Sequence, residues 1–294
     1  MGMNDTKYTI RDFNEQFKTD ADCLQYLFEQ RYPDGGTCEK CSKSGCFHPI
    51  KDRRQYACAW CGFQIAPTAG TIFHKSPTSL KTWFHAMFLM TASRNGVSAM
   101  ELMRQTGVTY KTAWRINHQI RQLMIEGQCK FSGTVECDET YIGGVCKGQT
   151  GRGAGGKIPV VGVLKRGGNI KVKAMPNVSA KSLVTNIVKA TNRGATVMTD
   201  EFPSYNSLAS LGFKHKTICH KEGKYVDGDI HTNGIESFWA QLKRSINGTF
   251  HHVSPQHLQK YLNEFVYRHN HRHSEQALFC RLMATAGEQR DSAV

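Results

Sequence analysis

Three carboxylates in the last two thirds of the chain have the residue types and surroundings of ligands for hard cations. Asp138 lies in Thr-Val-Glu-Cys-Asp-Glu-Thr-Tyr, Asp200 ends Ala-Thr-Val-Met-Thr-Asp, and Glu236 lies in His-Thr-Asn-Gly-Ile-Glu-Ser-Phe-Trp. The first two read as strand residues and the third as a helix residue. Such a set could hold two divalent cations about 3.5–4 Å apart, a spacing that clamps both oxygens of an in-line displacement at phosphorus. With 38 Lys and Arg against 24 acids and a net charge of +14, the polyanion that fits is nucleic acid.

The choice of the third carboxylate follows from helix geometry. At about 100° per residue, Ile235, Phe238, Trp239, Leu242 and Ile246 form one apolar stripe with Glu236 at its edge. Lys243 projects within roughly 20° of Glu236, close enough in angle to serve the same phosphate. Asn233 lies on the same side and is the rival ligand; its amide could instead orient a phosphate or a water. Glu136 shares a strand face with Asp138 while Glu139 faces the other way. Each is an accessory ligand or a charged strand end, and Glu201 is read the same way.

A second set of ligand-type residues lies in the first third. Cys38-x-x-Cys41 and Cys58-x-x-Cys61 form two pairs separated by 16 residues. Each pair predicts a tight knuckle, and a hairpin between them would bring four thiolates into a tetrahedron for a structural Zn²⁺. Cys46 and His48 are read as bystanders, and the remaining cysteines (Cys23, Cys129, Cys137, Cys146, Cys219, Cys280) as small core residues. The polar amino terminus carries no export signal, and no apolar stretch is long enough to span a membrane, so a reducing cytoplasm is expected. Met1-Gly2 with Thr6 matches a myristoylation pattern only by chance.

The elements that must position these residues fall into five stretches. Residues 1–32 are a helical segment, with Leu24, Leu27 and Phe28 on one face, and 33–76 are the zinc ribbon. Residues 77–128 resemble a helix-turn-helix module. In it a capped helix after Ser79 leads to a short helix ending at Met103, a turn at Gly107-Val108-Thr109 and a further helix over 110–124. That last helix carries Trp114, Ile116, Ile120 and Leu123 on its apolar side. Tyr110, Lys111 and Arg115 near its start are placed to touch DNA.

Residues 129–275 change to strands at 134–141, 158–166 and 170–175, the last two joined by the hairpin signal Gly167-Gly168-Asn169. A helix over 179–190, strands at 195–200 and 213–219, a helix over 233–246 and a long helix near 255–270 follow. This is an α/β domain in ribonuclease-H-like order, a mixed sheet with flanking helices. Adjacent parallel strands would bring Asp138 to Asp200 across 62 positions. Residues 276–294 are expected to be a tail. Gly-Arg-Gly-Ala-Gly-Gly within 143–156 matches a dinucleotide fingerprint formally but precedes a strand, so no Rossmann site is expected. With Lys147, Arg152 and Lys157 it reads as a basic loop that orders on DNA.

Taken together, the paired cysteines, Gly70-Thr71-Ile72-Phe73, the stretch from Val135 to Gly144, Thr199-Asp200 and the stretch from His231 to Trp239 resemble a DDE transposase of bacterial insertion sequences. Leu242-Lys243-Arg244 and Tyr267-Arg268-His269-Asn270 carry the same resemblance. The group is the one with an amino-terminal zinc ribbon, related to Merlin elements. The resemblance implies Asp138 and Asp200 as catalytic ligands for two Mg²⁺ or Mn²⁺ ions, with Glu236 or Asn233 third and Lys243 the basic residue that follows. It implies strand cleavage at element ends and attack of the freed 3′-hydroxyl on target DNA. The partners it implies are terminal inverted repeats and target DNA, with Arg244 on the backbone and a homodimer or larger multimer on the nucleoid. A nuclease without strand joining and a non-catalytic zinc-ribbon regulator are the rival classes.

Overall fold

Thr9 and Thr19 each open a helix, because each begins a Thr-x-x-Asp capping box in which hydroxyl and carboxylate satisfy two end amides reciprocally. The result is α1 (Ile10–Gln16) and α2 (Asp20–Arg31), where a single helical segment was expected. Phe17, at φ −115° and ψ 70°, leaves the helical region and makes the break. The computed structural model describes residues 7–127, 129–143, 156–218 and 231–287. It divides into two units, residues 1–123 with 273–294 and residues 124–272.

In the first unit a small antiparallel sheet, β1 (Phe47–Pro49), β2 (Tyr56–Cys58) and β3 (Gln64–Ile65), carries the cysteine knuckles. Helix α3 (Leu80–Ala92) is capped by Ser79, and the Asp20 carboxylate also accepts the N–H groups of Leu80 and Lys81 at 3.0 Å each. Helix α4 (Ala99–Thr106) stops at Gly107, whose φ of 73° is the left-handed conformation that glycine takes without strain. Helix α5 (Tyr110–Leu123) follows. Its buried side includes Asn117, His118 and Arg121 beside Ile116, Ile120 and Leu123, and Trp114 is only half-buried, so the face is less apolar than expected.

Residues 276–294 are not simply a tail. Leu278–Ala286 form α9, with Phe279, Leu282, Met283 and Ala286 buried at helical spacing. Phe279 stacks on Tyr8 at 4.7 Å and meets Phe13 edge-on at 5.9 Å. An aromatic anchor of this size explains why the segment folds back within its unit.

The second unit is built on one five-stranded sheet in the order β6-β5-β4-β7-β8. Its strands are β4 (Thr134–Ile142), β5 (Ile158–Lys165), β6 (Ile170–Ala174), β7 (Thr196–Asp200) and β8 (Lys214–Ile218). The first three pair antiparallel, and β7 and β8 add parallel, giving the ribonuclease-H-like mixed sheet. The turn between β5 and β6 closes where Lys165 N–H donates to the Asn169 carbonyl at 2.8 Å, with Gly167 at φ +68°.

Alternation along β5 divides the core between two faces. Val160 and Leu164 pack under α7 (Asn233–Ser245) and α8 (Leu258–Asn270), while Val161 and Val163 pack against α6 (Ala180–Ala190). Each such side chain contributes about 1.5–3 kcal/mol of burial. No helix among the described residues is long and apolar enough to cross a membrane.

Candidate active site and metal centres

Strands β4 and β7 run parallel with Thr134 opposite Thr196, Val135 opposite Val197 and Glu136 opposite Met198. Carrying that offset of 62 two residues further sets Asp138 across from Asp200. The paired ladder ends before the two carboxylates. Glu236 comes from the first turn of α7, where its Oε1 accepts the Thr232 hydroxyl at 2.7 Å. Asp200 Oδ1 accepts the Phe202 N–H at 3.1 Å, and Asp138 Oδ2 accepts the Trp239 indole N–H at 3.1 Å.

Burial, and then the charges of Glu139, Asp200 and Glu236, push the Asp138 carboxyl up to about 7. An all-oxygen donor set whose members repel one another fits a hard divalent cation, which would relieve that repulsion. Asn233 opens α7 with an exposed side chain, and Lys243 and Arg244 are exposed in its last turn.

Glu136 does something the sequence did not reveal. It is 1% exposed, and its Oε2 accepts the Ile235 N–H of the α7 first turn at 3.1 Å. Oε1 accepts from Arg166 Nε at 3.1 Å and faces His231 Nδ1 at 3.4 Å. Arg166 in turn donates to the His231 carbonyl at 3.0 Å. Thr232, the residue before α7, makes no capping bond, so a carboxylate from β4 satisfies the buried helix end instead.

This corrects the reading of Glu136 as an accessory ligand or a strand end. A Cβ at Gly234 would fall 2.8 Å from Glu136 Oε2 and 2.7 Å from Leu164 Cδ2, so glycine at the helix start is what admits so close an approach. Glu139 points to the opposite face, where it accepts the Tyr205 hydroxyl at 2.7 Å, and Glu201 is exposed.

The cysteines form the tighter cluster. The sulfurs of Cys38, Cys41, Cys58 and Cys61 all lie within 4.8 Å of one another, the one group of three or more Cys, His or acid ligands to do so among the described residues. Each knuckle closes on its first cysteine: Ser42 N–H donates to the Cys38 carbonyl at 2.8 Å and Gly62 N–H to that of Cys58 at 2.9 Å. Both closing residues have positive φ, 58° and 69°. Burial raises the Cys58 thiol, but backbone and thiol donors led by the Cys61 N–H outweigh it and bring it down to about 6. Four soft donors at this separation fit a structural zinc.

Cys46, expected to be a bystander, has its sulfur 3.2 Å from that of Cys58. Cys23, Cys137 and Cys280 are buried as expected, whereas Cys129 is exposed; Cys146 and Cys219 lie outside the described residues.

Tyr110, Lys111 and Arg115 are exposed near the start of α5. Lys157 is half-buried beside β5, and Lys147 and Arg152 lie outside the described residues.

Two family profiles span the stretches that contain the carboxylate and cysteine sites. The profile of the ISXO2-like transposase domain matches residues 130–270, and that of a transposase zinc-ribbon domain matches residues 18–64. An uncharacterised protein of the transposable element ISH50 from Halobacterium salinarum is 27% identical over 271 residues, covering 86% of this chain and 91% of that protein. A transposase-like protein of Haemophilus influenzae is 31% identical over 96 residues, 33% of this chain and 76% of its own length. Among solved structures, a pre-cleavage Mos1 transpososome shares 14% identity at a TM-score of 0.29, covering 71% of this chain and 80% of that one.

Proposed function

The chain belongs to the ISXO2-like transposases of insertion sequences, and on that premise we propose that Asp138, Asp200 and Glu236 carry its DNA chemistry: cleavage at element ends and joining of the freed 3′-hydroxyl to target DNA. The observation that supports this most directly is the parallel register that aligns Asp138 with Asp200, beside a helix whose Glu236 charge acts on Asp138. Two divalent cations, Mg²⁺ or Mn²⁺, would supply charge neutralisation at both oxygens exchanged at phosphorus.

The side chains divide the remaining work. Asp138, held near pH 7 between its two forms, gives up its proton as a cation binds. Asp200 offers a second carboxylate from the end of β7, and Glu236 closes the third side from α7. Glu236 rather than Asn233 is the third ligand in this reading, because its charge is among those that raise Asp138. Lys243, about two turns along the same helix, offers an ammonium to phosphate oxygens, with Arg244 beside it. Tyr110, Lys111 and Arg115 read the terminal repeats, and the excess of positive charge holds the duplex.

An assay on DNA carrying the element's own ends tests the reading, with cleavage and joined products measured separately. Asp138→Asn and Asp200→Asn should each abolish both products and leave DNA binding intact. Glu236→Gln should abolish cleavage while Asn233→Ala retains it; the reverse result moves the third ligand to Asn233. Cleavage without any joined product would identify a nuclease.

A further inference from the structure

If Asp138 holds a cation, as proposed above, its carboxylate gains affinity by being oriented before the ion arrives. An aspartate side chain has two free torsions, and ordering them on binding costs affinity. Trp239 supplies a restraint. It is 4% exposed, and its indole N–H reaches Asp138 Oδ2 at 3.1 Å, an ordinary hydrogen-bond distance. A buried indole N–H without an acceptor would be costly, so the bond constrains ring and carboxylate together.

The sheet is shaped to admit that ring. Gly162 on β5 is the register partner of Asp138. A Cβ at Gly162 would stand 2.7 Å from Trp239 Cζ2, 2.9 Å from Cη2 and 2.8 Å from Ile235 Cδ1. Any other residue at that position would push the indole off the strand and away from the acid. Glycine leaves the space.

The same helix face is fixed one turn earlier. Ile235 N–H donates to Glu136 Oε2 at 3.1 Å, and Ile235 and Trp239 stand four residues apart. Glu136 and Asp138 lie two residues apart on one face of β4. Two strand residues rise about 6.8 Å and four helical residues about 6 Å, so two acids on the strand meet two donors on the helix almost in step. This pairing sets the rotation of α7 and carries Glu236 to the same end of the sheet.

We infer that Trp239 is a positioning residue for cation binding: its indole N–H holds Asp138, Gly162 makes room for the ring, and Glu136 fixes the helix rotation that aligns them. A Trp that merely filled the core would need the ring alone. Trp239→Phe separates the two roles, because it keeps an aromatic ring and removes the donor.

Mn²⁺ binding to the full-length chain, followed through the electron spin resonance signal of the free ion, gives a readout independent of activity. Trp239→Phe, with a native circular dichroism spectrum and unchanged affinity for end DNA, should bind Mn²⁺ about tenfold more weakly. Its cleavage should return towards wild type as Mn²⁺ is raised. Gly162→Ala should show the same weakening, and decides the matter should Trp239→Phe fail to fold. A Mn²⁺ affinity within twofold of wild type, or a cleavage defect that excess Mn²⁺ leaves untouched, overturns the assignment. Asp138→Asn is the control for the underlying reading. If it still binds Mn²⁺ and cuts, Asp138 is no ligand and the role of Trp239 falls with it. If it loses both while Trp239→Phe alters neither, only the role of Trp239 falls.

Discussion

The cysteine cluster and the carboxylate cluster of this chain are assembled in opposite ways. The four thiols come from two knuckles between Cys38 and Cys61 and close to within 4.8 Å. The three carboxylates come from two strands and a helix spread between Asp138 and Glu236. Local turns gather the thiols, and a thiol can approach another while it carries its proton. The carboxylates are brought near one another by sheet register and helix docking, against their mutual repulsion, which lifts Asp138 to about 7. Ligation by the first set is part of folding; the second set is held by a fold that exists for other reasons and is strained by it.

The contrast gives the two sites opposite responses to losing a ligand. Cys38→Ser or Cys61→Ser should release zinc and unfold residues 33–76, since zinc ligation contributes on the order of 10 kcal/mol to small modules of this kind. Metal analysis and hydrogen exchange measure this, and the exchange of residues 124–272 should not change.

Asp138→Asn should act with the other sign. The folded carboxyl binds its proton more tightly than the unfolded one, whose ordinary value is 3.8. From about pH 4 to pH 7 the unfolded chain therefore releases a proton that the fold retains, and stability falls as pH rises. In chelator, Asp138→Asn should raise unfolding stability by up to about 4 kcal/mol at pH 8 and leave it unchanged below pH 4. A destabilising effect at pH 8 would erase the contrast between the sites.

Glu136 should behave as a scaffold residue despite lying two positions from Asp138. Removing it takes the buried carboxylate away from Arg166 and the acceptor away from the α7 end, so Glu136→Ala should cost about 3 kcal/mol in denaturant unfolding of the second unit. The smallest effect is expected at α5, proposed above to meet DNA. Arg115→Ala should weaken binding to end DNA by about 1–3 kcal/mol, read by titration at fixed salt, with both metal affinities unaltered.

Much of the scaffold was legible because it is written in short-range signals. The hairpin at Gly167-Gly168-Asn169, the α7 stripe and the strand order were all expected, and the strands agree to within a residue or two. Thr19-x-x-Asp22 and the buried spacing of Phe279, Leu282, Met283 and Ala286 were equally local and were passed over. Both could have been found with the rules that found the rest.

By itself the sequence determined the cysteine knuckles and the sheet's strands, because turn chemistry and period-2 alternation act between neighbours along the chain. Tertiary structure alone decided that Glu136 caps α7, that Trp239 holds Asp138 across Gly162, and that α9 returns to the first unit. Those contacts join residues about a hundred or more positions apart. A donor such as the Ile235 N–H is common to every residue, so no side-chain pattern announces its partner. Only the packing of a helix on a sheet brings the acceptor to it and takes away the water that would otherwise have served.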